Sequence, residues 1–310
     1  MLKIGTFRID IKKAIEEELD KHNNKFDIEL LNKENGILGT DINILKGLEA
    51  VCTTHLTLEE LELLPSLKTI LVPMTGLDGI DESIVNNTSI EILSVHSTAP
   101  YIAERGMGIL MTLAGKISLQ SEKLKVGKWS RFGESGKWLT LRDKKVGIYG
   151  YGHIGKEFEK MIRPFSENIY TINRNKQYPN DVNLVNNLDE LTKISDILFI
   201  AVPGNSQTEG SISTKELNNM KDGLIVNVGR GKVVNAKALY ESLKEEEIGG
   251  YGSDVWYNYP DDYSEICFAS DENLGEFEHM IMTPHNAWNH DHRDGLVVDE
   301  IVGYVKKLIY

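Results

Sequence analysis

The stretch VGIYGYGHIGKEFEKMIRPF, residues 146–165, decides how the chain is read. An apolar run leads into G-x-G-x-x-G at Gly150, Gly152 and Gly155, and a helical pattern follows. Each glycine has a physical task. Gly150 allows a tight turn out of a strand, Gly152 lets backbone approach a pyrophosphate, and Gly155 lets the helix pack close to the strand. The first N–H groups of that helix, around His153 and Ile154, offer donors and a positive dipole end to phosphate oxygens. The motif gains its meaning from its place between a strand and a helix, which is the context a dinucleotide site requires. The competing reading is a glycine-rich turn that holds no ligand.

A ribose-binding acid is expected about twenty residues further on, at the end of the second strand. NIYTI at 168–172 is followed by Asn173, Arg174, Asn175 and Lys176, and none of these is acidic. A carboxylate there would hold the ribose hydroxyls of NAD. A guanidinium instead pairs with a 2′-phosphate, so Asn173 and Arg174 favour NADP over NAD. The alternative is that Arg174 is a solvated loop cation.

Outward from this motif, short apolar runs alternate with helical patterns, the signature of an α/β protein with parallel strands. After VGIYG come NIYTI, DILFIAV (196–202), LIVNV (224–228), YGSDV (251–255) and MIMT (280–283). Six strands with intervening helices match a doubly wound dinucleotide domain. Before it, LKIGTF (2–7), FDIELL (26–31), LEAVC (48–52), KTILV (68–72) and IEILSV (90–95) form a second, smaller series. One long apolar-rich helix is expected from Tyr101 to Lys123, then a polar stretch at 125–138. The last helix carries Val297, Ile301, Tyr304, Val305 and Leu308 on one face.

The 310 residues favour two domains. At 41% hydrophobic and 26% charged they have the balance of a globular protein. A net charge of −13 argues against a nucleic-acid surface, which needs clustered Lys and Arg, but leaves room for a local anion pocket. Cys52 and Cys267 form neither a disulfide framework nor a zinc pattern. Lys3 and Arg8 interrupt the first apolar run, and no run approaches a membrane span, so a cytoplasmic location with no membrane partner is expected. No metal ligand set is evident.

The stretch from 195 to 285 is similar to the signature region of the D-isomer-specific 2-hydroxyacid dehydrogenases. The matching features are Ser195-Asp196, Val202-Pro203, Thr208, Met220-Lys221, Asn227 through Gly231, Ala238-Leu239, Asp254-Val255 and the TPH of 283–285. Upstream, Gly76-x-Asp78, Ala103-Glu104 and GKW at 127–129 fit as well. The resemblance implies two doubly wound parallel-sheet domains. A flavodoxin-like substrate domain would span 1–96 plus 288–310, and a Rossmann-type dinucleotide-binding domain 97–287. It also implies a homodimer, a small anionic 2-keto or 2-hydroxy acid as substrate, and hydride exchange with NADP or NAD.

Carried over residue by residue, Arg230 matches the arginine that holds the substrate carboxylate and polarises its carbonyl. His285 matches the general acid/base, suited to both directions by an imidazole that titrates near neutrality. Thr75 and Gly76 match the turn whose N–H groups bind the carboxylate, and Tyr101 lies at the expected interdomain crossing with Thr98. Asp254 is expected at the nicotinamide carboxamide, Val202, Pro203 and Thr208 along the adenosine and pyrophosphate, and Val228 and Gly229 along the nicotinamide. The departure is Tyr259. The family usually has a glutamate five residues after the strand aspartate, pairing with the imidazole and raising its pKa. Tyrosine can hydrogen-bond there but is neutral at pH 7. Two alternatives to a 2-keto acid reductase therefore stay open: a related formate- or phosphite-type dehydrogenase, and a cofactor-sensing binding protein. His22, His55 and His96 belong to no motif.

Overall fold

The computed structural model describes residues 2–20, 26–31, 36–87, 89–133, 136–174, 177–262 and 264–309. His22, Asn175 and Lys176 lie outside them. The chain divides into two compact units, Met1–Thr98 with Asp291–Tyr310, and Ala99–His290.

The first unit contains β1 (Leu2–Thr6), α1 (Ile9–Asp20), β2 (Phe26–Leu30), α2 (Ile42–Leu45), β3 (Ala50–Cys52), α3 (Leu58–Glu62), β4 (Thr69–Val72), α4 (Glu82–Val85), β5 (Glu91–Ser94) and the final helix α11 (Arg293–Ile309). Its five strands are parallel in the order β2-β1-β3-β4-β5, the flavodoxin-like order. Both faces of the central strands are buried, which is why they read as continuous apolar runs. Val51, Ile70 and Val72 pack on one side with Leu45, Leu48 and Ile84. Ala50, Cys52 and Leu71 pack on the other with Ile11 and Ile15 of α1 and Val297, Ile301 and Val305 of α11. The four-residue spacing of the α11 triplet puts one stripe on the sheet. Burial lifts the Cys52 thiol to about 12, so it stays protonated and acts as a small apolar residue.

The second unit contains α5 (Ala99–Ala114), α6 (Ile117–Lys125), β6 (Val146–Tyr149), α7 (His153–Ile162), β7 (Ile169–Ile172), β8 (Asn183–Val185), α8 (Leu188–Ile194), β9 (Ile197–Ile200), α9 (Thr214–Asn219), β10 (Leu224–Asn227), α10 (Ala236–Lys244), β11 (Gly250–Ser253) and β12 (Met280–Met282). All its strands are parallel, in the order β8-β7-β6-β9-β10-β11-β12. Counted within the unit this is 3-2-1-4-5-6 with one further strand added, the doubly wound dinucleotide order. Ile197 and Phe199 of β9 face α5 and α7, where the Phe158 and Phe199 rings stack at 3.7 Å. Leu198 and Ile200 face the opposite layer with Leu239 and Leu243 of α10.

Two expectations are corrected. The sheet has seven strands where six were read. The extra one, β8, is a three-residue edge strand with exposed Asn183 and Leu184, so it lacks the apolar run that marks a buried strand. The expected 101–123 helix is two helices. Lys116 takes φ +51, the left-handed conformation that ends helices, and α6 beyond it buries no residue. Among the described residues no helix is long and apolar enough to cross a membrane.

Candidate active site

In the second unit the strand order reverses between β6 and β9, and doubly wound sheets bind ligands outside the carboxyl ends of strands at such a point. Gly150 leaves β6 with φ +108. A Cβ there would stand 2.5 Å from the Ala201 carbonyl carbon just past β9, so both conformation and space demand glycine. At Gly155 a Cβ would stand 2.2 Å from the Gly150 oxygen, which sets the close approach of α7 to its strand. At Gly152 a Cβ would meet nothing within 4 Å. Protein packing therefore does not explain Gly152. Gly152 is also the N-cap of α7 and provides no side-chain cap. The backbone donors of the first turn, with exposed His153 and half-buried Ile154, fit a pyrophosphate.

Past β7, Asn173 and Arg174 are exposed, and no carboxylate stands there among the described residues. Tyr178 pins this exit. Its hydroxyl donates to the Ile172 carbonyl (3.1 Å) and accepts the Arg174 N–H (2.9 Å). The Asn173 N–H donates to Val185 of the edge strand (2.9 Å). On the β9 side Val202 is buried and Pro203 exposed. Thr208 is buried and closes its own loop, donating to the Pro203 carbonyl (2.6 Å) and accepting the Asn205 N–H (3.0 Å). Val228 is buried and donates to Ile200 (3.0 Å). A Cβ on Gly229 would fall 2.6 Å from the Val202 oxygen, so the loops after β9 and β10 touch backbone to backbone.

Arg230 follows β10 and is half-buried. Its turn is stapled by Asn227, fully buried. The Asn227 amide oxygen accepts the Gly229 N–H (3.0 Å), and its nitrogen donates to the Arg230 carbonyl (2.9 Å) and the Tyr251 hydroxyl (3.1 Å). Burial pushes the Tyr251 phenol up to about 12, which keeps it neutral. The Arg230 Nη1 donates to the Gly229 carbonyl at 2.6 Å.

Trp256 links this turn to the other two candidates. A Cβ on Gly231 would lie 2.2 Å from the Trp256 oxygen, its backbone N–H donates to the Tyr259 hydroxyl (2.8 Å), and its indole N–H donates to the Thr283 carbonyl (2.8 Å). The Tyr259 and His285 rings then lie 5.2 Å apart, tilted by 49°. His285 itself takes φ +53, a left-handed conformation that costs about 1 kcal/mol or more in a non-glycine residue. The segment around it is held from several sides. Trp288 donates to the His285 carbonyl (2.8 Å). Asp254, 1% exposed and expected beside the nicotinamide, directs its carboxylate to Thr283 Oγ1 (2.5 Å) and to the N–H groups of Asn286 (3.2 Å) and Ala287 (2.8 Å). Arg230, Tyr259 and His285 thus follow the carboxyl ends of adjacent strands β10, β11 and β12. Sequence reading did not single out Trp256 or Thr283, although Trp256 directly follows the Asp254-Val255 pair and Thr283 opens the TPH segment.

Thr75 and Gly76 belong to the first unit, where the Thr75 hydroxyl donates to Val95 (2.9 Å) and meets Thr98 Oγ1 (3.3 Å). Tyr101 belongs to the second unit and stacks on His290, ring centroids 3.8 Å apart.

A family described as D-isomer specific 2-hydroxyacid dehydrogenase, NAD binding domain, matches residues 107–287. The 2-hydroxyacid dehydrogenase homolog of Zymomonas mobilis is 30% identical over 294 residues, covering 85% of this chain and 88% of its own. The hydroxypyruvate reductase of Thermotoga maritima is 31% identical over 237 residues, covering 75% and 74%. The crystal structure of the PH0520 protein from Pyrococcus horikoshii OT3 has a TM-score of 0.83 at 25% identity, over 99% of this chain and 92% of that one. The chain belongs to the D-isomer-specific 2-hydroxyacid dehydrogenases. It is an NAD(P)-dependent enzyme that moves a hydride between a nicotinamide dinucleotide and a 2-hydroxy or 2-keto acid.

The open face of Gly152 makes a sharp expectation. Gly152→Ala should change the melting temperature little, because its Cβ meets no protein atom within 4 Å, and should weaken NADPH binding on the order of tenfold or more. Fluorescence titration beside a thermal melt reads both; undiminished affinity would remove Gly152 from the phosphate site.

Proposed function

We propose that the chain reduces a small 2-keto acid of the glyoxylate or hydroxypyruvate class, with NADPH preferred over NADH. The observation that carries the reading is the stapled turn of Arg230 joined through Trp256 to the His285 loop. A planar guanidinium anchored by its own backbone takes the substrate carboxylate and polarises the C2 carbonyl. When bound, the reduced cofactor would supply the hydride for C2. His285 gives its proton to the carbonyl oxygen, so that C=O becomes CH–OH and the imidazolium becomes imidazole. Thr75 and Gly76 are proposed to bind a substrate carboxylate through their backbone N–H groups, and Tyr101 is proposed as a further substrate contact. The hydroxypyruvate reductase similarity of the Thermotoga relative supports the substrate class.

A bound dinucleotide would have its pyrophosphate held by Gly150, Gly152, His153, Ile154 and Gly155, with Val202, Pro203, Thr208, Val228 and Gly229 along it. Asn173 and Arg174, at an exit from β7 that Tyr178 holds, would take a 2′-phosphate. Tyr259 replaces the expected carboxylate as the neighbour of the imidazole. Its hydroxyl accepts from Trp256, and a phenol can both accept and donate. A neutral phenol in that position favours the imidazolium less than a carboxylate there would. Tyr259 is also the one feature that favours a formate- or phosphite-type substrate, so both anions belong in the assay.

NADPH and NADH oxidation should be measured against glyoxylate, hydroxypyruvate, pyruvate and bulkier 2-keto acids, and NADP reduction against formate and phosphite. Arg230→Ala should cut kcat/KM on the best 2-keto acid on the order of a thousandfold while NADPH still binds; undiminished turnover would exclude Arg230 from the mechanism. Arg174→Ala should weaken NADPH roughly tenfold and leave NADH nearly unchanged, since only NADPH carries the phosphate. Equal loss on both would sink the phosphate role. Tyr259→Glu should raise the imidazole pKa. Reduction needs the protonated ring and fails as pH rises through that value, so the descending limb of the rate profile should move up by about one pH unit. An unmoved limb would mean that position 259 does not act on His285.

A further inference from the structure

Two tyrosines stand beside the phosphate turn. We propose that Tyr151 and Tyr178 are positioning residues for NADP selectivity: Tyr151, tethered to Glu159, backs the Tyr178 ring, and Tyr178 sets the Arg174 backbone so that its guanidinium is offered to a 2′-phosphate. This rests on the reading of Arg174 as the phosphate ligand.

Tyr151 lies between the first two glycines of the phosphate turn, where the motif asks for no particular side chain. Here it is tied down. Its hydroxyl donates to Glu159, on the second turn of α7. Glu159 is 8% exposed, and a buried carboxylate is costly unless its oxygens are met. Tyr151 meets Oε2, and Arg163 meets Oε1 through Nε (2.7 Å) and Nη2 (2.6 Å). Arg163 also pairs with Asp181 (3.0 Å), so one guanidinium offsets two carboxylates. Burial, and then the Glu159 carboxylate, pushes the Tyr151 phenol up, which keeps it a neutral donor. The Tyr151 ring lies 5.6 Å from the Tyr178 ring, tilted by 43°, a favourable spacing for an aromatic pair. Tyr178 stands on the return from β7 to β8. Its hydroxyl bridges the backbone groups on either side of Asn173, the Ile172 carbonyl and the Arg174 N–H. Asp181 lies on the same return, which is therefore fixed at two points to the phosphate turn and its helix. A loop that presents a long side chain to a ligand loses less entropy on binding when its backbone is already set. NADPH differs from NADH only in the 2′-phosphate, so a device acting through Arg174 changes the affinity for one and spares the other.

Tyr178→Phe keeps the ring and removes both hydrogen bonds. Tyr151→Phe keeps its ring and leaves Glu159 to Arg163. Three quantities are read on both: the melting temperature, exchange of the Arg174 amide in the ligand-free protein, and the Kd of NADPH and of NADH by fluorescence titration. Tyr178→Phe should speed exchange of the Arg174 amide on the order of tenfold. It should weaken NADPH roughly fivefold to tenfold and NADH by less than about twofold. Tyr151→Phe should move the NADPH-to-NADH ratio the same way with smaller amplitude. A side chain that merely supports the fold would lower the melting temperature and weaken both cofactors together, and that result in Tyr178→Phe overturns the proposal. An unchanged ratio in both variants overturns it as well. If one variant fails to fold, the other decides alone. Arg174→Ala, run beside them, separates the two readings. Equal loss of NADPH and NADH there rejects the phosphate role and the proposal with it. Loss of NADPH alone in Arg174→Ala, with an unchanged ratio in Tyr178→Phe, rejects the positioning role and leaves the phosphate ligand standing.

Discussion

At the mouth of the second sheet, loops meet backbone against backbone. The turn after β6 lies on the chain leaving β9, α7 lies on that turn, the loop after β10 lies on the loop after β9, and Gly231 lies on Trp256. At each contact a single added carbon would fall between 2.2 and 2.6 Å from a main-chain atom. Close-packed interiors do not absorb such overlaps. This spacing brings the ends of β6, β9, β10, β11 and β12 near enough for short polar side chains to bridge them. Without it, neither the phosphate turn nor the Arg230 turn would have its present shape.

On that scaffold a few polar side chains set the loops. Asn227 staples the Arg230 turn, Thr208 closes the loop after β9, Tyr178 holds the exit of β7, and Asp254 grips the His285 segment. Asn227 and Asp254 each reach the end of a neighbouring strand, whereas Thr208 and Tyr178 close their own loops. A buried amide or carboxylate is costly unless satisfied, so each has one arrangement in which its donors and acceptors all find partners. The strain at His285 is affordable for that reason: the neighbours over-determine the conformation. The first unit has its own logic, a flavodoxin-like sheet buried on both faces and covered by the first and last helices.

Much of this was legible in the residues. Apolar runs located every strand that is buried on both faces, because burial forces such strands to be apolar throughout. β8 escaped because an edge strand needs no apolar run. The break at Lys116 escaped because the hydrophobic pattern continues past it, and only the backbone torsion reveals the turn. The three glycines of the phosphate turn were readable as a spacing, since each answers to local geometry. Asp254 was readable as important but not as to what it holds, because its partners are thirty residues further along the chain.

The sequence by itself determined the two parallel α/β sheets, the dinucleotide turn and the absence of an acid among residues 173–176. These depend on periodicity and on residue type at fixed short spacing, which are properties of the chain read in order. Only the tertiary structure decided that Gly152 faces open space, that Asn227 staples the Arg230 turn and Trp256 ties it to the His285 loop, and that Asp254 is turned inward. Those are matters of which strand ends lie side by side. Strand order in a doubly wound sheet brings together residues that sequence keeps apart, and hydrogen bonds then form by proximity in space.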